Sequence, residues 1–220
     1  MCQNHLQFEA IEQHLCKFTQ ATVHLAAGRL ADSVSCYEQE QQLMLYALPK
    51  RQREFYSGRH FARIALHRAG ISSTCLPRGP LGNPIWPDTV VGSITHDHTY
   101  GAAVVGFYRE LQGLGLDLIE DPSQVTEELI DQIMHPHEQT LLRSLYPDLS
   151  PVSVAFSVKE SVVKATSVLV GRYMDLLEIR LDCTSQGLNA RVNGVPCALP
   201  CMVLKTQIGL VTSSFYPRKR

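Results

Sequence analysis

Long apolar runs are missing from this 220-residue chain. No stretch approaches the roughly 20 consecutive apolar residues that cross a bilayer, so no membrane span is expected. Charge of one sign is missing too: 20 Lys and Arg stand against 21 Asp and Glu, a formal net charge of −1. That balance supplies no electrostatic basis for nucleic-acid binding, and none is expected. No Gly-Lys-Ser or Gly-Lys-Thr opens a helix, which disfavours a phosphate-loop ATPase or kinase. The seven cysteines are an odd number without framework spacing. The N-terminus has no charged-then-apolar signal pattern. Reduced thiols and a cytoplasmic protein are the expectation. His96 and His98 share a strand face. No third histidine or cysteine stands at ligand spacing, so zinc is disfavoured.

What is present is an ordinary globular composition, 45% hydrophobic and 19% charged. It suffices for one large domain or two small ones around a sizeable core. Residues 1–32 carry the weakest pattern: 8–18 fit a short amphipathic helix and 21–30 a strand and turn. Residues 33–48 read as a helix capped by Ser33 and stopped by Pro49. A second helix covers 50–69, apolar at Phe55, Gly58, Ala62, Ala65, Leu66 and Ala69. Its other face holds Arg51, Arg53, Arg59, His60, Arg63 and Arg68. That face reads either as a solvated surface or as a grip on one polyanion, since Arg51 and Arg59 stand about two turns apart. Residues 77–87 form a turn-rich loop. Residues 89–94 and 101–108 read as a hairpin and 113–119 as another strand, with His96 and Asp117 near strand ends. Helices are expected over 124–134, 136–145 and 150–169, then strands over 175–181, 187–192, 198–204 and 207–211. The chain is thus α+β, with the pattern given twice but no direct sequence repetition. Basic residues Arg218, Lys219 and Arg220 end it.

The most informative stretch is Phe156-Ser157-Val158-Lys159-Glu160-Ser161-Val162-Val163-Lys164. Ser150 is a candidate N-cap and Pro151 a first helical residue. Val154, Phe156, Val162, Val163 and Leu169 supply apolar surface to bury this helix against a sheet. Glu160 and Lys164 are four apart and share a face. If Asp117 and Glu160 converge, two carboxylates plus waters suit Mg²⁺, which would bridge a diphosphate. Arg51, Arg59, Arg78, His96 and Lys159 would then hold other phosphate oxygens. Lys164 would sit near an attacking or leaving oxygen, and Glu160 would accept a hydroxyl proton. The plain counter-reading is a surface Glu–Lys pair worth a few tenths of a kcal/mol and a salt-bridged Asp117.

Several segments together resemble the 4′-phosphopantetheinyl transferases of the siderophore (enterobactin-type) synthetase-activating kind. They are Lys50-Arg51-Gln52-Arg53-Glu54-Phe55 through Gly58-Arg59 and Ala62; Trp86-Pro87 leading to Gly92-Ser93-Ile94-Thr95-His96; Gly115-Leu116-Asp117; and the stretch ending at Lys164. The resemblance covers about residues 37–164. It implies two similar α+β halves related by a pseudo-twofold, here residues 1–112 and 113–220, with coenzyme A in the cleft between them. It implies transfer of the phosphopantetheine arm of coenzyme A to a serine of an apo carrier-protein domain, releasing adenosine 3′,5′-bisphosphate. By matched position, Arg51, Arg59, Arg78, Thr95, His96 and Lys159 would bind coenzyme A. Asp117 and Glu160 would bind Mg²⁺, and Glu160 and Lys164 would carry the transfer.

One position departs from the resemblance. The family pattern is Asp-x-Glu on the central strand, but here Ile119 follows Asp117 and Leu118. Glu120 falls on the opposite face by strand alternation. Weaker, water-completed metal binding is the expectation. The implied partners are carrier domains of peptide or siderophore synthetases, docking beside the helices of 124–145, and the implied state is a monomer. Two other readings stand beside this one. The first is a non-catalytic protein that binds coenzyme A or a carrier domain; the second is a structural α+β module with solvated charges.

Overall fold

The computed structural model describes residues 2–72 and 74–218, so Lys219 and Arg220 of the basic tail lie outside the described residues. The chain opens with α1 (Cys2–Thr19) and β1 (Val23–Arg29), then a short α2 (Glu38–Leu43) and a long α3 (Pro49–Arg68). Strands β2 (Val90–His96), β3 (Tyr100–Phe107) and β4 (Leu111–Ile119) follow. Next come α4 (Ile130–Ile133), α5 (Pro136–Leu145) and α6 (Pro151–Val170). Four strands close the chain: β5 (Ile179–Thr184), β6 (Gly187–Val192), β7 (Leu199–Thr206) and β8 (Gly209–Pro217).

The sheets show why the α+β pattern occurs twice. The first sheet has the order β1-β3-β2 and the second β4-β8-β7-β6-β5, and every pairing is antiparallel. Each half runs strand, long helix, strand, strand, with the last strand entering between the first two. The β5–β6 hairpin extends the second half only. The halves meet where β2 lies against β4, joined through side chains: Ser93 Oγ donates to Leu116 O (3.4 Å) and Leu118 N donates to Thr95 Oγ1 (3.2 Å).

Two expected helices are shorter than the sequence pattern implies. Pro49 does not stop a helix; it is the first residue of α3, with extended Leu48 as N-cap, because a proline forces the residue before it out of helical geometry. Residues 33–37 are not helical, and their backbone is held by α2 and α3: Arg63 donates to Ser35 O and Glu40 accepts from Tyr37 N. Gln52 donates to Met44 O and Ala47 O, ending α2 early. Over 124–134 only α4 is α-helical. It is preceded by tight 3-10 turns at Pro122–Gln124, capped by Asp121, and at Glu127–Leu129.

Strand β4 organises the interior. Leu114, Leu116 and Leu118 point into a core with Ile11, Leu15 and Phe215. The alternate residues Gly113, Gly115, Asp117 and Ile119 face α6, where Ile119 joins Val154, Val158 and Val162. The glycines let helix backbone lie directly on strand backbone. A Cβ on Gly113 would fall 2.0 Å from Ala165 O, and one on Gly115 would fall 1.8 Å from Ser161 O. Steps of four on α6 rise about 6 Å and steps of two on β4 about 6.8 Å, so the next contact brings Asp117 to Ser157. Phe156, Val162 and Val163 bury as expected, whereas Leu169 is exposed near the helix end. Gly115→Ala is expected to lower the unfolding free energy by about 3 kcal/mol or more, since helix and strand must separate to admit a methyl group; urea denaturation measures it.

Candidate functional site

Asp117 is buried on β4, where an unpaired carboxylate would be costly. Three side chains offset that cost. Lys164 Nζ lies 2.6 Å from Oδ1, Thr95 Oγ1 donates to Oδ1 at 3.3 Å, and Ser157 Oγ donates to Oδ2 at 2.8 Å. Ser157 also touches Thr212 Oγ1 (2.9 Å), which donates to Ser157 O (2.8 Å). Lys164 spends its other hydrogens on Leu116 O (3.2 Å) and Thr95 Oγ1 (3.4 Å). Helix α6 and strands β2, β4 and β8 therefore converge on one carboxylate.

Glu160 stands one turn before Lys164 on α6. Among the described residues no hydrogen bond or ion pair reaches its carboxylate. Burial pushes its pKa up, Lys164 pulls the other way, and the charge of Asp117 adds to the rise. Both carboxylates line a cavity of about 400 Å³ whose walls include Thr95, His96, Asp117, Ile119, Glu160 and Lys164. A second, mostly apolar cavity of about 710 Å³ adjoins it, walled by the 79–88 loop, the start of β2 and the end of α6. The two share Ile94 and Lys164.

His96 ends β2 at the rim. Arg51 Nη1 lies 3.0 Å from its Nε2. A guanidinium only donates, so Nε2 accepts and the ring is neutral with its proton on Nδ1, facing Glu54 (3.9 Å). Burial lowers the His96 pKa, Glu54 opposes the fall, and Arg51 and Lys164 add to it.

Not every expected ligand faces this space. Arg59 is buried, stacked 3.4 Å over the Phe55 ring, and its Nε donates to Leu76 O (3.1 Å) and faces Glu40 (4.0 Å). Burial takes its pKa down to about 10. The periodicity put Arg59 on the polar face of α3, but that face is covered by α2 and residue 76. Lys159 is fully buried and lines neither cavity: its Nζ pairs with Glu138 Oε2 (2.8 Å) and donates to Ile133 O (2.7 Å). A side chain so enclosed cannot hold a phosphate, which corrects the expectation made for it. Arg78 is exposed on the 77–87 loop.

Ile119 lines the polar cavity where a further carboxylate was considered. Glu120 is no substitute: it turns to the β2–β3 turn, accepting from Thr99 N and Tyr100 N. Among the described residues no group of three or more His, Cys, Asp or Glu is placed to hold a metal ion. The donor set is therefore Asp117 and Glu160. That set fits Mg²⁺ in its usual manner, with one or two carboxylates and the remaining positions filled by water and substrate phosphate. Sequence reasoning missed Thr212 and Glu138 and assigned Ser157 no role. Ser157 lay inside the informative stretch, while Thr212 and Glu138 carried no local signal.

Two family models match the chain: the 4′-phosphopantetheinyl transferase N-terminal domain over residues 39–106 and the 4′-phosphopantetheinyl transferase superfamily over residues 113–197. Among curated proteins it is similar to 4′-phosphopantetheinyl transferase Npt of Nocardia iowensis, 31% identical over 150 residues, 68% of this chain and 67% of the relative. It is also similar to 4′-phosphopantetheinyl transferase PptT of Mycobacterium tuberculosis, 34% identical over 156 residues, 70% and 68% of the two chains. Enterobactin synthase component D of Escherichia coli K12 is 38% identical over 122 residues, 54% of this chain and 56% of the relative.

The strained carboxylate has a measurable signature. A pKa raised in the folded state means that the Glu160 penalty is absent below its ordinary value of 4.5 and grows as pH rises through the folded value. Glu160→Gln is therefore expected to raise stability near about pH 7.5, with the gain vanishing below about pH 4.5. Urea denaturation of both proteins across that range is the check, and equal stability at the higher pH would contradict the assignment.

Proposed function

The chain belongs to the 4′-phosphopantetheinyl transferase superfamily, whose enzymes act with coenzyme A on carrier proteins, and we propose the following course for its reaction. In a Mg²⁺-dependent step the serine hydroxyl of an apo carrier domain attacks the phosphorus that bears the pantetheine arm. The phosphoanhydride bond breaks, and adenosine 3′,5′-bisphosphate leaves. The observation that carries this reading is the convergence of Asp117, Glu160, Lys164 and His96 on a polar cavity that opens into an apolar one. A ligand with a polyanionic end and a long neutral arm fits such a pair of cavities.

Asp117 and Glu160 would hold the cation, which would supply positive charge to the diphosphate. Glu160, unpaired and raised in pKa, is suited to take the serine proton. Lys164, released from part of its contact with Asp117, would donate to the leaving oxygen. His96 and Arg51 would bind phosphate oxygens at the rim, and exposed Arg78 would add charge there. Thr95 would act by holding Asp117 and Leu118 N in place. Residues 1–112 and 113–220 would each supply one wall. The carrier would dock beside 124–145, since Gln124 and Val125 line the polar cavity. The similarity to enterobactin synthase component D supports a role in siderophore or other nonribosomal-peptide synthesis. The dependence on coenzyme A and the free thiols among the described residues support a cytoplasmic enzyme, and two similar halves in one chain support a monomer.

Incubation with coenzyme A, Mg²⁺ and an apo peptide-synthetase carrier domain is the test. The carrier is expected to gain the mass of one phosphopantetheine arm; an unmodified carrier would favour the non-catalytic reading. Glu160→Gln and Lys164→Met should each lower kcat by about 100-fold or more. Full activity in both would place the catalytic groups elsewhere in the chain. Ile119→Glu is expected to reduce the Mg²⁺ concentration needed for half-maximal rate, and an unchanged requirement would place the second carboxylate elsewhere.

A further inference from the structure

We propose that the buried Lys159–Glu138 pair is a positioning device for Glu160, setting the roll of α6 and hence where the Glu160 carboxylate stands opposite Asp117. This rests on the cation and base roles given to Glu160 above. Glu138 and Lys159 are both fully buried, and neither lines a cavity. Glu138 Oε1 accepts from Leu181 N (2.7 Å), while Oε2 accepts from His135 N (3.0 Å) and pairs with Lys159 (2.8 Å). Lys159 reaches on to Ile133 O (2.7 Å). One ion pair thus binds the end of α4, the start of α5, strand β5 and helix α6.

The position along the helix matters as much as the contacts. At about 100° per residue, Ser157 and Lys159 project about 160° apart on the shorter arc, and Glu160 lies within that arc. Ser157 is tied to Asp117 on one side and Lys159 to Glu138 on the other. Glu160 itself has no partner among the described residues, so these two anchors fix its azimuth. A roll of about 20° would carry its carboxylate about 2 Å along the cavity wall, and about 1 Å of misplacement can cost on the order of 100-fold in rate. Stability alone gives little reason for a buried ion pair, since apolar replacements are often neutral or better.

The first half of the molecule contains the same arrangement. Glu40 is also fully buried and also occupies the third position of a short helix before the long one. It pairs with Arg63 of α3 (2.8 Å) and accepts from Leu76 N (3.1 Å) and Tyr37 N (3.4 Å). Helix α3 in turn sends Arg51 to His96 at the cavity rim. Each long helix that delivers a side chain to the cavity is thus pinned by a buried glutamate.

The double variant Glu138→Gln/Lys159→Met removes both charges while keeping the side-chain volumes, and it separates stability from positioning. It is expected to unfold at a lower temperature than the wild type, since the one amide oxygen of the glutamine replaces two oxygens that each accept a backbone N–H, so the comparison is made on the folded protein. Its Mn²⁺ dissociation constant, followed by electron paramagnetic resonance, should rise about fivefold or more, and kcat should fall about tenfold or more with KM for coenzyme A within about twofold. If the double variant does not fold, Glu138→Asp decides: it keeps both charges but withdraws the carboxylate by one methylene, and Mn²⁺ affinity should fall about threefold or more. Wild-type Mn²⁺ affinity and kcat in a folded variant would overturn the proposal. Wild-type protein that transfers the arm but binds no Mn²⁺ would overturn the cation reading instead. The kcat comparison alone would then decide this inference, with unchanged kcat sinking it.

Discussion

The contact between Lys164 and Asp117 is the one on which the candidate site depends. Asp117 sits in a wall of leucines and glycines where an unpaired carboxylate would be costly. The ammonium 2.6 Å away, with the hydroxyls of Ser157 and Thr95, offsets that cost. Lys164 comes from α6, Thr95 from β2 and Asp117 from β4, so neutralising one charge also draws the two halves together. The same ammonium occupies a flank of Asp117 where a divalent cation would compete for the oxygen.

Close packing makes that contact possible. Asp117 lies within reach of α6 because Gly113 and Gly115 precede it on the same face of β4 and oppose Ala165 and Ser161. Larger residues at 113 and 115 would lift α6 away, and Ser157 and Lys164 with it. The apolar side of β4 meanwhile packs against α1 and β8, so the strand has helices on both faces. The polar cluster is thus built on a packed helix and strand rather than on a loop.

Ile119 stands where the resemblance leads one to expect a second carboxylate on β4. Its side chain belongs to the α6 core and also forms part of the cavity wall. Replacing a carboxylate by a branched alkyl group removes a ligand and a negative charge but adds packing. Fewer protein ligands leave more of the coordination sphere to water and phosphate, which Mg²⁺ accepts more readily than metals that need a closed cage.

Residue order alone carried much of the outcome. Helical spacing located α3 and α6, turn residues bounded β6, and the stretch from Phe156 to Lys164 put Glu160 and Lys164 on one helix face. These features are local, written within one or two turns of chain. The helix limit near Pro49 was misread because proline opens a helix as readily as it stops one, and the one near residue 124 because Asp121 caps a tight turn there. Arg59 and Lys159 were misread because periodicity says which residues share a face, not what covers that face. Sequence by itself determined the family, the two-part α+β plan and the shared helix face of Glu160 and Lys164, since each depends on spacing along the chain. Only the tertiary structure decided that Lys159 is sealed against Glu138 while its neighbour Glu160 stays unpaired. Burial is a property of what packs from elsewhere, and adjacent residues on one helix can meet opposite environments.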